Sequence, residues 1–340
     1  MSYTAAARPL LWPLVPVYRL AVALRELGLR LGLQPVRRLR WPVLSIGSLS
    51  AGGAGKTPLA IALAQALAAR GLRVDVLSRG YGRKSRATAR VDPNGAAAEF
   101  GDEPLLIARE AGVPVYVAAR RYQVGLMAEA AEPASAESAV HLLDDGFQHR
   151  RLARDVDILL LSRGDLDDHL LPAGNLREPL RSVRRAGVIA IPADDRDLEA
   201  EVRRLGWQGQ LWRLRRTMQV PPISGPVAAF CGIARPNQFF SGLESAGLHV
   251  ASRIAFPDHH RYDAHDLACL LAAAHSVRAT ALLTTEKDRV RLGDLAASIP
   301  ASLPLTSVLL RVAIENEAAA VDWLIERLAL GRLTKRGTLC

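Results

Sequence analysis

The chain has 340 residues, 49% of them hydrophobic and 5% aromatic, with a formal net charge of +10. That length and apolar content suit two domains of ordinary size, and three scattered cysteines, Cys231, Cys269 and Cys340, with no C-x-x-C exclude a zinc or disulfide framework. The basic excess points to anionic partners, whether nucleic acid, membrane surface or acidic substrate, and charge alone does not choose among them.

Residues 9–33, PLLWPLVPVYRLAVALRELGLRLGL, are strongly apolar but interrupted by Arg19, Arg25, Glu26 and Arg30, and broken early by Pro13 and Pro16. No uninterrupted apolar run reaches the roughly 18 residues expected of a membrane span, and a cleaved signal peptide fits poorly. Residues 1–40 hold seven Arg and one acidic residue, Glu26. An Arg-rich amphipathic helix with Trp and Tyr near its start suits the face of an anionic membrane. A helix packed on its own domain is the ordinary alternative, and the two are compatible.

WPVLSIG (41–47) reads as a buried strand, and PLAIALAQALAARG (58–71) as a helix stopped by Gly71. Between them lies SLSAGGAGKT (48–57). A phosphate loop needs consecutive backbone N–H groups turned toward one anion at a helix start, and Gly where the backbone takes φ > 0. Here Ser50, Ala51, Gly52, Gly53, Ala54 and Gly55 form the loop, Lys56 reaches the β/γ-phosphates and Thr57 supplies a metal-side hydroxyl. Ser50 stands where the pattern G-x-x-x-x-G-K-[ST] has Gly. The partition-ATPase variant of the loop would need Lys at the place of Ala51.

Further strands are expected at 72–80, 113–120, 139–145, 155–162 and 187–192, alternating with helices. That alternation predicts an α/β fold: a mostly parallel sheet flanked by helices. LSRGYGRK (77–84) presents Arg79 and Tyr81 just past a strand end, where open α/β sheets bind ligands. EFGDEPLLIAR (99–109) puts Asp102 and Glu103 before an apolar helix. Asp102 reads as an N-cap on ordinary grounds, or as a general base or the orienter of one. HLLDDGFQH (141–149) ends a strand in Asp144 and Asp145, followed by Gln148, and a strand-terminal Asp is where phosphate-loop enzymes hold Mg2+. LPAGNLREPL (171–180) presents Arg177 and Glu178, and Arg suits a phosphoryl group that develops charge.

The Pro-rich break at 221–226 marks a domain boundary. The expected organisation is an N-terminal amphipathic segment (1–40), a P-loop domain (41–220), a smaller C-terminal α/β domain (221–330) and a loose tail (331–340). Strands are expected at 227–234, 249–256, 280–288 and 305–314, and a last helix at 316–330. FPDHHRYDAHD (256–266) offers His259 and His260 with nearby aspartates. No metal spacing fits, and a His near an Asp reads as a proton-transfer partner, or as a structural loop residue. TTEKDRVRL (284–292) can bind phosphate or cap a helix, and is not the N-K-x-D of a guanine-selecting loop.

Taken in order, SAGGAGKTP, SRGYGRK, GDEP, LLDDGFQH, LPAGNLREPL, AFCGIARP, FPDHHRY and LLTTEKD closely resemble the tetraacyldisaccharide 4′-kinases, the lipid A 4′-kinases of Gram-negative bacteria. The resemblance runs from about residue 10 to about 325, and in that family a non-Gly residue at the place of Ser50 is usual. It implies transfer of phosphate from ATP, with Mg2+, to the 4′-hydroxyl of an anionic tetraacyl disaccharide 1-phosphate. It also implies a peripheral place at the cytoplasmic face of the inner membrane, reached through the N-terminal segment, with no nucleic acid and no obligate protein partner. By the same resemblance the catalytic Asp falls on Asp102, its partner on His259 with His260 adjacent, the metal-binding Asp within Asp144-Asp145 and the phosphate-contacting Arg on Arg177. Two other classes fit the loop: a soluble small-metabolite kinase, which needs no basic apolar N-terminus, and a membrane-docked ATPase switch, in which Asp102 and His259 would be idle.

Overall fold

A computed structural model describes residues 8–53, 55–131 and 138–336, with side-chain burial described to 330. A 3-10 turn, Pro9–Leu14, leads into helix α1, Val15–Arg30. The first half then runs β1 (Val43–Ser48), α2 (Lys56–Ala69), β2 (Arg73–Ser78), β3 (Ala89–Arg90), α3 (Ala97–Phe100), α4 (Asp102–Ala111), β4 (Val115–Val117) and α5 (Arg121–Ala131). It continues through β5 (Ala139–Leu143), β6 (Val156–Leu160), α6 (Arg163–Leu166), β7 (Val188–Pro192), α7 (Asp197–Arg204) and β8 (Gln210–Gln219). The second half comprises β9 (Pro226–Cys231), α8 (Pro236–Ser245), β10 (His249–Ala255), α9 (Ala264–Ser276), β11 (Ala281–Thr285), α10 (Glu286–Leu292), β12 (Leu305–Ile314) and α11 (Glu317–Arg336).

The strands form one twelve-stranded sheet in the order β10-β9-β11-β12-β8-β7-β6-β1-β5-β2-β4-β3. Its neighbours pair in parallel except β12·β8 and β3·β4. The apolar runs explain this. β1 and β5 are buried at every position, as strands covered on both faces must be. One face packs Leu59, Leu63 and Leu67 of α2 against Leu105 and Ile107 of α4. The opposite face carries Leu49, Phe147, Leu159 and Ile189.

β8 is a strand that sequence patterning missed. Only Trp212 and Leu214 of its ten residues are buried, so it shows no continuous apolar run. It is nonetheless the seam of the sheet: Leu214–Gln219 pairs antiparallel with Leu309–Ile314 of β12 and joins the two parallel sets across the Pro-rich 221–226 stretch. α11 then returns to the first set, with Val321, Leu324 and Leu328 in the same core as α2. That helix extends past the expected end at 330 to Arg336. Positions 337–340, most of the Ala-rich 131–139 loop, and Ala54 lie outside the described residues.

α1 differs from every other long helix whose burial is described. It has no buried residue. Val17, Leu20, Leu24, Leu27 and Leu31 recur at helical spacing and are all exposed, Val17 by 65% and Leu31 by 64%. Polar contacts hold it to the body: Tyr18 donates to the Arg177 carbonyl at 3.0 Å, Arg25 donates to the Gln148 carbonyl at 2.6 Å, and Glu26 pairs with Arg150. Among the described residues no helix is long and apolar enough to cross a membrane.

Candidate active site

The loop between β1 and α2 has the backbone that phosphate binding requires. Gly52, Gly53 and Gly55 take φ of 79°, 61° and 84°, and Gly55 is the N-cap of α2. Thr57 is buried. Lys56 Nζ donates to Ser48 Oγ at 3.2 Å and lies 3.4 Å from Asp145 Oδ1. The first two loop residues need correction. The Ala51 N–H is taken by the Asn175 carbonyl at 2.9 Å, and Ser50 bridges to Leu176. They are buttressed by the 170–177 loop, so the Ala51 amide is not turned to a ligand.

The two strand-end carboxylates divide their work. Asp145 sits at φ 47°, a left-handed conformation that costs a non-glycine residue energy and recurs at functional sites. It is committed to cations: Arg177 Nη1 donates to its Oδ2 at 2.8 Å, and Lys56 is adjacent. Burial works against its ionisation, but Lys56 and Arg177 outweigh it and hold the carboxyl below its usual range. Asp144 is deeper. Ser78 Oγ donates to its Oδ2 at 3.1 Å, while its buried Oδ1 has no partner among the described residues. Burial, then Glu103 and Asp145, push its carboxyl up to about 7. A buried carboxylate oxygen without a partner, close enough to the P-loop Lys56 to feel its charge, fits a divalent cation. No group of three or more His, Cys, Asp or Glu side chains placed to hold a metal occurs among the described residues. Mg2+ does not need one, because it keeps waters and phosphate oxygens as ligands.

A second cluster joins the two halves of the chain. α4 begins at Asp102 itself and its N-cap is Gly101, so the capping expectation for Asp102 fails. Its Oδ2 instead lies 3.1 Å from His259 Nδ1 and accepts Arg291 Nε at 2.7 Å, while Oδ1 accepts the Glu103 N–H at 3.0 Å. Burial opposes ionisation of Asp102, but the His259 hydrogen bond and the charges of Arg291 and Lys287 hold its carboxyl well below the usual range. His259 is raised by its hydrogen bond to Asp102. It too is left-handed, at φ 60°, and its ring lies 5.2 Å from that of the exposed Tyr81. His260 does not join it. The turn sends the next side chain elsewhere: His260 Nε2 lies 2.7 Å from Asp266 Oδ2 and the ring stacks on Phe256.

Other expected residues have defined places. Gln148 Nε2 donates to the Ser48 carbonyl at 3.0 Å, and its Oε1 lies 3.5 Å from Arg177 Nη1. Glu178 is buried against Arg185, at 2.6 Å, beneath α1. Its ion pairs make it a support for Arg25 and Arg185. Arg79 is exposed, and its charge is felt at Arg121 and His149. Glu103 pairs with Lys287.

Lys287 and Arg291 were missed as site residues. Both belong to TTEKDRVRL, where Thr285 does cap α10 by accepting the Asp288 N–H. Arg291 is nearly buried and spans Asp102, the Gly232 carbonyl at 2.5 Å and Asp288 at 2.9 Å. Arg121, buried behind Asp145, was also missed. So were Arg216 and Arg235: a Cβ on Gly55 would stand 3.0 Å from Arg216, and one on Gly53 3.1 Å from Arg235.

A P-loop opening onto α2, strand-end carboxylates beside it and a parallel sheet between helix layers define a P-loop NTPase-like phosphotransferase. Comparison with known proteins narrows this. A family model described as tetraacyldisaccharide-1-P 4′-kinase matches residues 7–329. A relative named tetraacyldisaccharide 4′-kinase from Koribacter versatilis is 40% identical over 324 residues, 92% of this chain and 97% of its own length. One of the same name from Anaeromyxobacter dehalogenans (strain 2CP-C) is 43% identical, over 86% of this chain and 83% of its own. A crystal structure of LpxK from Aquifex aeolicus in complex with ATP is 31% identical, covers 94% of this chain and 99% of its own, and superposes with a TM-score of 0.73. The chain belongs to the tetraacyldisaccharide-1-P 4′-kinase family, and it is a kinase of lipid A biosynthesis.

Proposed function

We propose that the chain transfers the γ-phosphate of ATP to the 4′-hydroxyl of a tetraacyl disaccharide 1-phosphate. The observation that carries this is the Asp102–His259 pair, assembled from α4 and the loop after β10 beside a P-loop. The Gly52–Gly55 backbone and Lys56 cradle the β/γ-phosphates. Asp144 and Thr57 would hold Mg2+, which neutralises charge on the phosphate oxygens. Arg177 and Arg121 add positive charge beside Asp145. Both Asp102 oxygens are engaged by donors, so the proton of the sugar hydroxyl passes to His259 Nε2, and Asp102 orients and charges the imidazole. The hydroxyl oxygen bonds to the γ-phosphorus, the bond to the β–γ bridging oxygen breaks, and ADP leaves. Labelled ATP with the lipid disaccharide in mixed micelles, against a soluble-sugar control, tests the assignment. Transfer to the soluble sugar alone would replace it with a metabolite kinase, and hydrolysis without transfer would replace it with an ATPase switch.

Arg291 is placed here as a positioning residue for Asp102. Arg291→Lys keeps the charge but loses the fork that grips one carboxylate through Nε and Nη2. Misplacing a reacting group lowers rate by up to roughly 100-fold, and kcat is expected to fall between roughly tenfold and that limit. Arg291→Gln also removes a charge that lowers His259, while Asp102 and Asp258 raise it. The imidazole then gains its proton at higher pH. Because the neutral ring is the acceptor, the acidic limb of the kcat/KM profile should move to higher pH in Arg291→Gln and stay near wild type in Arg291→Lys. An unmoved limb in a folded Arg291→Gln enzyme would leave Arg291 a purely structural ion pair.

The exposed apolar face of α1 and its arginines favour an anionic membrane surface, the cytoplasmic face of the inner membrane. Deleting residues 1–30 should raise the KM for lipid acceptor more than the KM for ATP. Retained membrane binding and an unchanged lipid KM in a folded truncation would reduce α1 to a packing helix. We also propose a division into 41–220 and 221–330, with the β8·β12 pair as the seam.

A further inference from the structure

The loop 168–177 stands between the N-terminal 3-10 turn and the phosphate loop, and it is braced on itself. Leu176 donates its N–H to the His169 carbonyl, and Leu171 donates its own to the Leu176 carbonyl, both at 2.9 Å. A Cβ on Gly174 would collide with the His169 carbonyl, so the two arms close without room for a side chain. Asp168 accepts the Asn175 N–H at 3.2 Å and the Asn175 side-chain amide at 2.8 Å. Backbone and side chain of Asn175 are thus fixed together.

The inner edge of this loop holds the entry to the phosphate loop. The Arg177 N–H donates to the Leu49 carbonyl at 2.8 Å, Ser50 bridges to Leu176, and the Asn175 carbonyl takes the Ala51 N–H at 2.9 Å. The outer edge meets the N-terminal segment. Arg8 Nη2 donates to Asn175 Oδ1 at 2.7 Å, the Trp12 ring stands edge-on to His169 at 4.8 Å, and Tyr18 donates to the Arg177 carbonyl at 3.0 Å. One residue, Asn175, therefore touches both sides: its side chain faces Arg8 and its carbonyl faces Ala51. The next residue after Ala51 is Gly52, at φ 79°, where the chain has most freedom to lose. A glycine-rich loop whose entry is pinned pays less of that loss when it closes on an anion.

We infer that Asn175 is a positioning residue for the phosphate loop, and that the N-terminal turn acts on the nucleotide site through it by way of Arg8. The inference rests on the reading of 48–57 as the nucleotide loop. It gives the N-terminal segment a second task. The apolar face of α1 looks outward, while Arg8, Trp12 and Tyr18 brace the loop that pins Leu49 to Ala51. The coupling runs through a continuous chain of hydrogen bonds, Arg8 to Asn175 to Ala51, and needs no membrane.

The test measures the Kd for ATP by calorimetry in neutral detergent with no lipid acceptor, so that neither membrane nor acceptor contributes. Arg8→Ala removes one donor and strands no charge, because Asp168 keeps its bonds to Asn175. It should weaken ATP binding roughly fivefold, the scale of one net hydrogen bond, with the unfolding midpoint unchanged. Arg8→Lys keeps a charged donor and should restore part of the loss. Asn175→Ala gives up the Asp168 contact as well and should cost roughly tenfold or more. The double variant should lose no more than Asn175→Ala alone, since Arg8 acts through Asn175. An unchanged Kd in both folded single variants would overturn the inference and leave the 168–177 loop a structural brace. Losses that multiply in the double variant would also overturn it, because Arg8 would then act by another route. A wild-type protein that binds no ATP would overturn the nucleotide-loop reading itself, and this inference with it.

Discussion

Lys56→Ala is expected to lower phosphoryl transfer by roughly 10³-fold, since losing even one aligned donor to transition-state charge costs about 10²–10³, and to leave the unfolding midpoint nearly unchanged. Lys56 is the first residue of α2, and its Nζ meets two polar groups, Ser48 Oγ and Asp145. None of the core packing of α2 depends on it. Asp145 keeps Arg177 when Lys56 is gone, so no carboxylate is stranded. Rate and stability should therefore separate cleanly. Activity by single-turnover transfer and stability by thermal unfolding measure the two. Near-normal turnover by the folded variant would remove the nucleotide from this loop.

The second large effect concerns Asp102. Asp102→Asn keeps size and hydrogen-bonding capacity but loses the negative charge that favours a protonated His259. A group that only capped a helix would tolerate this change, because Asn caps about as well as Asp. Loss of an acid–base partner costs roughly 10²–10⁴ in rate, and a kcat drop of roughly 10² or more is expected. His259→Ala should fall by a comparable factor. The double variant should lose much less than the product, because groups that act as one unit are not additive. Stability complicates only Asp102. Arg291 is nearly buried and loses its anionic partner, so the unfolding midpoint must be measured beside kcat. Wild-type kcat in a stable Asp102→Asn enzyme would leave the site without its proton-transfer pair.

Most of the parallel sheet was legible, because fully buried strands read as short β-branched runs closed by Gly, Pro or Asp. β1 and its loop are the clearest case, with strand, glycines, Lys56 and helix contiguous in the chain. β8 was not legible, because a strand with two buried residues and several arginines carries no strand signature of its own. Its partner β12 supplies the reason it is extended. The site divides in the same way. Asp144 and Asp145 announce themselves at a strand end. Arg291 stands far from Asp102 in the chain, and no spacing rule connects them. The resemblance to a family located Asp102 and His259. It placed the partner on His259 with His260 adjacent, and the structure brings the His259 ring to Asp102 and gives His260 a separate partner, Asp266.

On the proposed membrane role of α1, its unburied apolar face has a kinetic consequence. An enzyme held at an interface through such a face meets its lipid in two dimensions. Its rate then follows the mole fraction of acceptor within the surface rather than moles per litre of solution. Diluting the acceptor with inert neutral detergent, at constant bulk concentration, slows such an enzyme as surely as withholding substrate does. Only the ATP dependence remains an ordinary three-dimensional binding curve.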